Sequence, residues 1–226
     1  MIKKASVFFA VAATILSVFG CKSGLGGSSN AADLTAGTMT FSISLPKDAN
    51  MGGLSSMIPK EGIMYFDTDK AAIEVSAMGL ITMRMITDGN AHTQTMLVSG
   101  IGGKEAATAT EKDLAPALDS LNIIAEETAE TKEILGMKAT KFILRDTIKH
   151  LESAIYIAKD APLGNIYWCL PFHNLKGLIL EYEIEYQGEK LRLTATKIDA
   201  KTPDAKEFAI PDGYKKTDWK NRSGGL

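Results

Sequence analysis

Cysteine, histidine and net positive charge are all scarce in this 226-residue chain, and each shortage removes a class of function. There are two cysteines, three histidines, and 25 basic against 27 acidic residues, a formal charge of −2. A chain without a basic excess lacks the face that displaces counterions from phosphates, which argues against a nucleic-acid partner. It offers no polybasic patch for anionic lipid head groups either. His92, His150 and His173 share no metal-ligand spacing such as His-x-x-x-His and read as separate surface or half-buried residues, leaving only a site assembled in space. No Gly-x-Ser-x-Gly elbow and no cysteine-nucleophile signature occur. Gly100-Ile101-Gly102-Gly103-Lys104 fails as a phosphate loop, because Val98 stands where the first glycine belongs and Glu105 where Ser or Thr must follow the lysine. It reads as a flexible turn. The acidic rows Glu126-Glu127 and Glu181/Glu183/Glu185 are spaced as solvated faces are. Nothing here implies an enzyme, a cofactor or a metal.

What is present begins at the amino terminus. Met1-Ile2-Lys3-Lys4 precedes the apolar run Val7 to Phe19, then Gly20 and Cys21. A basic start, a short apolar stretch and a small residue before the cysteine make an export signal with a lipid acceptor at Cys21. The run is shorter than the roughly 20 residues that span a bilayer. Residues 1–20 are therefore expected to be a lipoprotein signal peptide, and cleavage would remove Lys3 and Lys4, leaving a charge of −4. Val18 replaces the usual leucine of such a site and Phe19 is bulky. Residues 21–36, rich in Gly and Ser, are expected to be the lipidated cysteine and a flexible leash. With Lys22 following Cys21 instead of an acidic run, the expected address is the periplasmic side of the outer membrane. Cys169 is then a lone thiol with no internal disulfide partner. Flanked by Tyr167, Trp168 and Leu170, it is expected to pack in the core.

Residues 37–214 read as a mainly β (α+β) domain with a curved antiparallel sheet or open half-barrel and one or two covering helices, followed by a polar tail, 215–226. Met39, Phe41, Ile43 and Leu45 alternate with Thr40, Ser42 and Ser44, the period of a half-buried antiparallel strand. A Gly/Pro-rich loop from Lys47 to Glu61 carries Met51, Leu54, Met57 and Ile58 and is expected to fold back as a flap. Strands follow at Ile63–Asp67, Ala71–Ala77, Leu80–Thr87 and Ala91–Ser99, separated by Thr68-Asp69-Lys70 and Asp88-Gly89-Asn90. Leu114, Leu118, Leu121 and Ala125 recur at helical spacing, so a helix is expected over Glu111 to Glu127, with Pro116 near its start. Further strands are expected at Thr131–Leu135, Met137–Arg145 and Ser153–Ala158. Gly164 to Gly177 is apolar without alternation, a short helix or a buried loop. Leu180, Tyr182, Ile184 and Tyr186 then form a hairpin with Leu191, Leu193 and Ala195, with glutamates facing Lys190 and Arg192 across the solvent side.

Methionine is the unusual allotment, ten in all. Met83 and Met85 share one strand face, Met96 lies on the next strand, and Met51 and Met57 sit in the apolar loop. Thioethers fill ordinary cores, line pliable ligand cavities, or bind soft copper(I); copper carriers, however, cluster methionine with His or Cys in short motifs, which this chain lacks.

Thr131 to Leu144, Asn174-Leu-Lys-Gly-Leu-Ile-Leu-Glu-Tyr182 and Phe208-Ala-Ile-Pro-Asp-Gly-Tyr214 resemble, respectively, a strand pair, the "GLPGLI" segment and the closing motif of small bacterial envelope proteins. The resemblance covers residues 131–214 and implies a fold like that of the lipoprotein carriers LolA and LolB, an antiparallel half-barrel capped by helices. The expected function is a non-catalytic protein anchored to the membrane through Cys21 and binding a lipid or other apolar ligand. Phe41, Ile43, Met83, Met85, Phe142, Leu144, Ile155 and Ile157 would line the cavity, and Met51–Ile58 with Trp168–Phe172 would be lids. The alternatives are a structural or protein-interaction module of the envelope with a filled core, and an enzyme or copper-binding protein.

Overall fold

The computed structural model describes residues 30–46, 57–170, 172–186 and 189–221. Cys21, Met51 and Leu54 lie outside them. Among the described residues the strands are β1 (Gly37–Ser44), β2 (Glu61–Phe66), β3 (Lys70–Ala77), β4 (Ile81–Asp88), β5 (Thr93–Gly100), β6 (Gly103–Thr110), β7 (Ile123–Ile134), β8 (Met137–Asp146), β9 (Leu151–Ala158), β10 (Leu178–Tyr186), β11 (Glu189–Asp199) and β12 (Lys215–Thr217), with one α-helix, α1 (Glu111–Asp119), between β6 and β7. They form one sheet in the order β12-β6-β5-β4-β3-β2-β1-β11-β10-β9-β8-β7. Every pairing is antiparallel except β12 with β6. The sheet is curved and open, as its alternating strands lead one to expect.

Register explains which residues face inward. Met39, Met64, Ile73, Met85 and Met96 lie opposite one another in a row across β1 to β5. A parallel row holds Phe41, Gly62, Val75, Met83, Val98 and Glu105, and another Phe66, Ala71, Thr87, Gln94 and Ala109. Gly62 is required in its row, since a Cβ there would sit 2.4 Å from the Phe41 ring. The outer face is packed too. Ala72, Ile86, Leu97 and Ala106 are covered by Tyr65, Phe208 and Tyr214, so the closing segment straps the back of the first half of the sheet. Arg84 anchors that strap, pairing with Glu74 at 2.6 Å and Glu207 at 3.0 Å.

Several segments differ from the sequence reading. The helix ends at Asp119, not Glu127, and Ile123 to Glu127 belong to β7, paired with Phe142 to Asp146 of β8. The start of α1 is fixed where Asp113 accepts from the Thr110 amide and hydroxyl, 2.9 and 2.7 Å. Its end comes where β-branched Ile123 and Ile124 favour strand and the ten-residue edge of β8 is offered as a partner. β6, read only as a turn followed by unassigned residues, is a full strand whose inward side chains include the small Ala107 and Ala109. The segment expected to be a free leash is packed from Ala31 onward: Ala31, Leu34 and Ala36 are buried, and Leu34 enters the main core. At the other terminus, Lys215–Thr217 of the polar tail adds β12 to the sheet edge. Glu183 pairs with Arg192 at 2.7 Å as the hairpin pattern demands. Glu181, placed with it on the solvent face, is instead only 9% exposed and bonded to Lys132 at 2.8 Å.

Candidate functional site

The described residues of 159–177 form an irregular loop without helix, and they plug one end of the curled sheet. Ala161, Leu163, Ile166 and Tyr167 join the main core with Phe66 and Ala71; Phe172 joins Phe142, Leu144, Ile155 and Ile157 in a second cluster. The plug is held by backbone bonds from Gly164 N to Thr68 O, 2.6 Å, and by His92. That imidazole stacks on Trp168 at 5.2 Å, meets Glu111 at 2.9 Å through Nδ1 and lies 3.3 Å from Asn165 through Nε2. One ring thus ties the β4–β5 turn, α1 and the plug together.

Between the plug and the inner face lies a cavity of about 230 Å³. Met39, Phe41, Met64, Ile73 and Met85 line one wall, and Ile179, Tyr182, Ile184, Leu193 and Ala195 line the other. β4 and β10 are five strands apart in the sheet, so only its curl brings these walls together. Leu170 and Phe172 close the cavity from the plug side. Exposure rises along the strands. Ala71, Thr87 and Gln94 near the plug are buried, whereas Ile73 and Met85, one row further, are 42% and 36% exposed. The mouth therefore opens away from the plug, toward the β3–β4 and β5–β6 turns.

The lining is apolar with a small polar floor. Gln94 Nε2 donates to Met85 Sδ at 3.0 Å and to Cys169 Sγ at 3.1 Å. Sulfur is a weak acceptor, so this buried carboxamide retains bonding capacity for a guest. Burial pushes the Cys169 thiol up, which suppresses the reactive thiolate. Burial likewise raises Tyr182 and drives Tyr167 far above the ordinary phenol range. Glu181 reaches the lining with its carboxylate satisfied by Lys132 and by the Thr194 hydroxyl at 3.3 Å. On that side Tyr156, bonded to Glu130, is pushed up to about 12, chiefly by burial and then by the neighbouring carboxylate.

Of the residues expected to form the cavity, Phe41, Met85 and Phe172 line it. Ile43 and Met83 do not; Met83 occupies the inward row on the mouth side, and Ile43 packs half-buried against the main core. Phe142, Leu144, Ile155 and Ile157 fill the second cluster instead. Trp168 packs with Ala109, Leu114 and Cys169 below the cavity floor. Met39, Met64, Ile73, Gln94 and Tyr167 line the cavity as well. Met39 alternates with Phe41 and could have been found, but Gln94 needs the plug's position to be seen. Sulfurs of Met39, Met64, Met85 and Cys169 share the lining, yet a donor N–H stands between the last two. Among the described residues no group of three His, Cys, Asp or Glu side chains could hold a metal ion.

Tyr167 also supports the bulge in β10, where the pairing with β9 slips between Ile179 and Glu181. Its hydroxyl accepts from the Ile179 amide at 3.1 Å. Tyr167→Phe is expected to orphan that N–H and lower stability by about 1–3 kcal/mol in urea unfolding.

The fold and cavity define a class: an open, curled antiparallel sheet with a plugged end and an apolar interior. No family model matches the sequence, and no curated protein matches it significantly. Among solved structures, PNGF-II aligns over 81% of this chain and 30% of its own, with 14% identity and a TM-score of 0.50. The chain thus spans under a third of that protein, and the likeness is one of fold. A beta-barrel-like protein of a domain of unknown function, DUF1849, from Brucella abortus aligns over 74% of this chain and 98% of its own, at 7% identity and a TM-score of 0.34.

Proposed function

We propose that the protein is a non-catalytic, lipid-anchored periplasmic protein that holds an acyl chain or a similar slender apolar ligand in its half-barrel. The observation that carries this reading is the apolar cavity, buried at the plug and progressively exposed toward one mouth. Its volume lies below the roughly 300 Å³ at which pockets for drug-sized molecules begin, which favours a single chain over a bulky ring system. Gln94 at the floor gives such a chain's polar end, or a chain carbonyl, one directional partner. The export signal and Cys21 supply the address.

The test is occupancy. The full chain is purified under native conditions, its organic extract examined by mass spectrometry, and the stripped protein titrated with a fluorescent polyene fatty acid. Retained lipid, or saturable binding of the probe, is expected. Ile73→Trp, which extends a half-exposed lining side chain into the open volume, is expected to weaken probe binding roughly tenfold while changing stability by no more than about 0.5 kcal/mol. An empty protein that never binds the probe, or a filled variant that binds it as well as the parent, would remove the cavity as the site.

A further inference from the structure

The strand pairings bring several turns to the mouth end: β3–β4 (Met78–Leu80), β5–β6 (Ile101, Gly102), β8–β9 (Thr147–His150) and the α1–β7 connection (Ser120–Asn122). Their tips are apolar and open to solvent. Ile101 is 89% exposed, Ile148 65% and Met78 62%, with Leu80 and Ile124 beside them. Of the large apolar side chains exposed among the described residues, all but Leu135 and Ile210 lie at this rim or on the inner face leading to it. A soluble surface scatters such residues; gathering them around one opening creates an interaction surface.

The four turns that bear these tips carry little charge. Met78–Ile81, Gly100–Lys104, Ser120–Ile124 and Thr147–Leu151 contain Lys104 and Lys149 and no carboxylate. Asp146, at the base of its turn, is engaged by the Ile148 and Lys149 amides at 2.9 and 2.8 Å. The β1–β2 and β10–β11 connections reach the same end, with Glu61 and Glu189 at their bases. Between Leu80, Ile81, Val98 and Ile101 lies a notch of about 230 Å³. Glu105 forms part of its lining, and its Oε2 is buried with no partner among the described residues. An ammonium group is the complement of that oxygen, as phosphate is of the two lysines.

We propose that this rim seats in the surface of a phospholipid bilayer, its apolar tips below the head groups, so that the cavity mouth faces the acyl region. The proposal deepens the acyl-chain reading, on which its functional sense rests, and the surface itself is tested separately. Apolar tips that leave water for hydrocarbon favour insertion, and the four turns that bear them set no carboxylate of their own against the lipid surface.

Tryptophan is placed at a tip, Ile101→Trp, or at the far end, Asp160→Trp, in the full chain. Each variant is bound to vesicles of phosphatidylethanolamine and phosphatidylglycerol carrying brominated acyl chains. The Ile101→Trp signal is expected to be quenched beyond the unmodified chain, and the Asp160→Trp signal is not. A tip probe at Leu80→Trp should lose its quenching roughly tenfold or more when Ile101→Asp and Ile148→Asp are added, since each removes an apolar side chain from the bilayer. Unquenched tips, or equal quenching at both ends, overturn the proposal. Unquenched tips with a doubled mass that Ile101→Asp abolishes would make the rim an interface with a second copy, which also overturns it. Fatty-acid binding separates the two readings. Probe binding with unquenched tips leaves the cavity standing without the rim, and quenched tips without probe binding leave the rim without the cavity.

Discussion

Gly177→Ala is expected to destabilise the protein by about 3 kcal/mol or more, and to release the plug from the end of the sheet. Gly177 is the last residue before β10 and has φ of +106°, a conformation that L side chains rarely adopt. A Cβ would lie 2.3 Å from the Ala158 carbonyl oxygen and 2.8 Å from Lys159 Cα, both backbone atoms that cannot turn aside. The crowding is built in, because Leu178 must pair with Ala158 at once for the chain to re-enter the sheet. Leu178 is fully buried, so the strand cannot shift outward without breaking the main core. Gly79 provides the control. It too has positive φ, +67°, but nothing lies within 4 Å of its missing Cβ. Gly79→Ala should cost only about 1 kcal/mol. Urea midpoints for the two variants separate left-handed strain, common to both, from the backbone collision at Gly177 alone. Equal losses would mean that the plug yields easily and is not what closes the interior.

The sheet was legible because its strands alternate. β1, β4 and the β10–β11 hairpin each place large apolar side chains at every second position, and one face buried is the simplest outcome of that pattern. β6 escaped because its alternation is written in alanine and threonine, Ala107 and Ala109 against Thr108 and Thr110, which carry little hydrophobic contrast. The overlong helix had the opposite cause. Leu114 and Leu118 do pack against the core around Trp168, but Leu121 and Ala125 continue a helical spacing by coincidence after the chain has turned. Propensity lost there to a tertiary pairing, the long edge that β8 offers to β7.

The cavity was only half legible for a different reason. Alternation tells which side of a strand faces inward, yet not how far along the strand the interior stays empty. Phe41 and Phe142 have the same sequence signature, and the fold separates them: Phe41 meets open volume, whereas Phe142 meets Ile155 and Phe172. What decides is the plug, whose path follows from Gly164, Gly177 and the His92 tie more than from its own apolar residues. Cross-strand register had to be known before Met39, Met64, Ile73, Met85 and Met96 could be seen as one row. The abundance of methionine then has a structural meaning. Flexible thioethers pave a surface that is neither packed solid nor freely wetted, as an adaptable apolar wall requires.

The distinction between filled and open interior leads to the second large effect. Phe142→Ala is expected to cost about 3–5 kcal/mol in stability, the range for emptying an aromatic site in a packed core. Phe142 is buried against Leu144, Ile155, Ile157 and Phe172, and Phe172 in turn meets Tyr182 edge-on at 5.4 Å between ring centres. Truncation would leave a void walled by β8 and β9, with the Phe172 ring standing between it and the ligand cavity. Binding of the fluorescent fatty acid, measured where the variant remains folded, should therefore stay within about threefold of the parent, since the cavity walls on β1–β5 and β10–β11 are untouched. Ile73→Trp should show the reverse, stability kept and binding lost. If Phe142→Ala instead tightens or abolishes probe binding, the void communicates with the cavity and the ligand's chain runs on past Phe172 into the second cluster. Phe142, Leu144, Ile155 and Ile157 would then be lining residues after all, and the half-barrel would hold a longer chain than its resting volume admits.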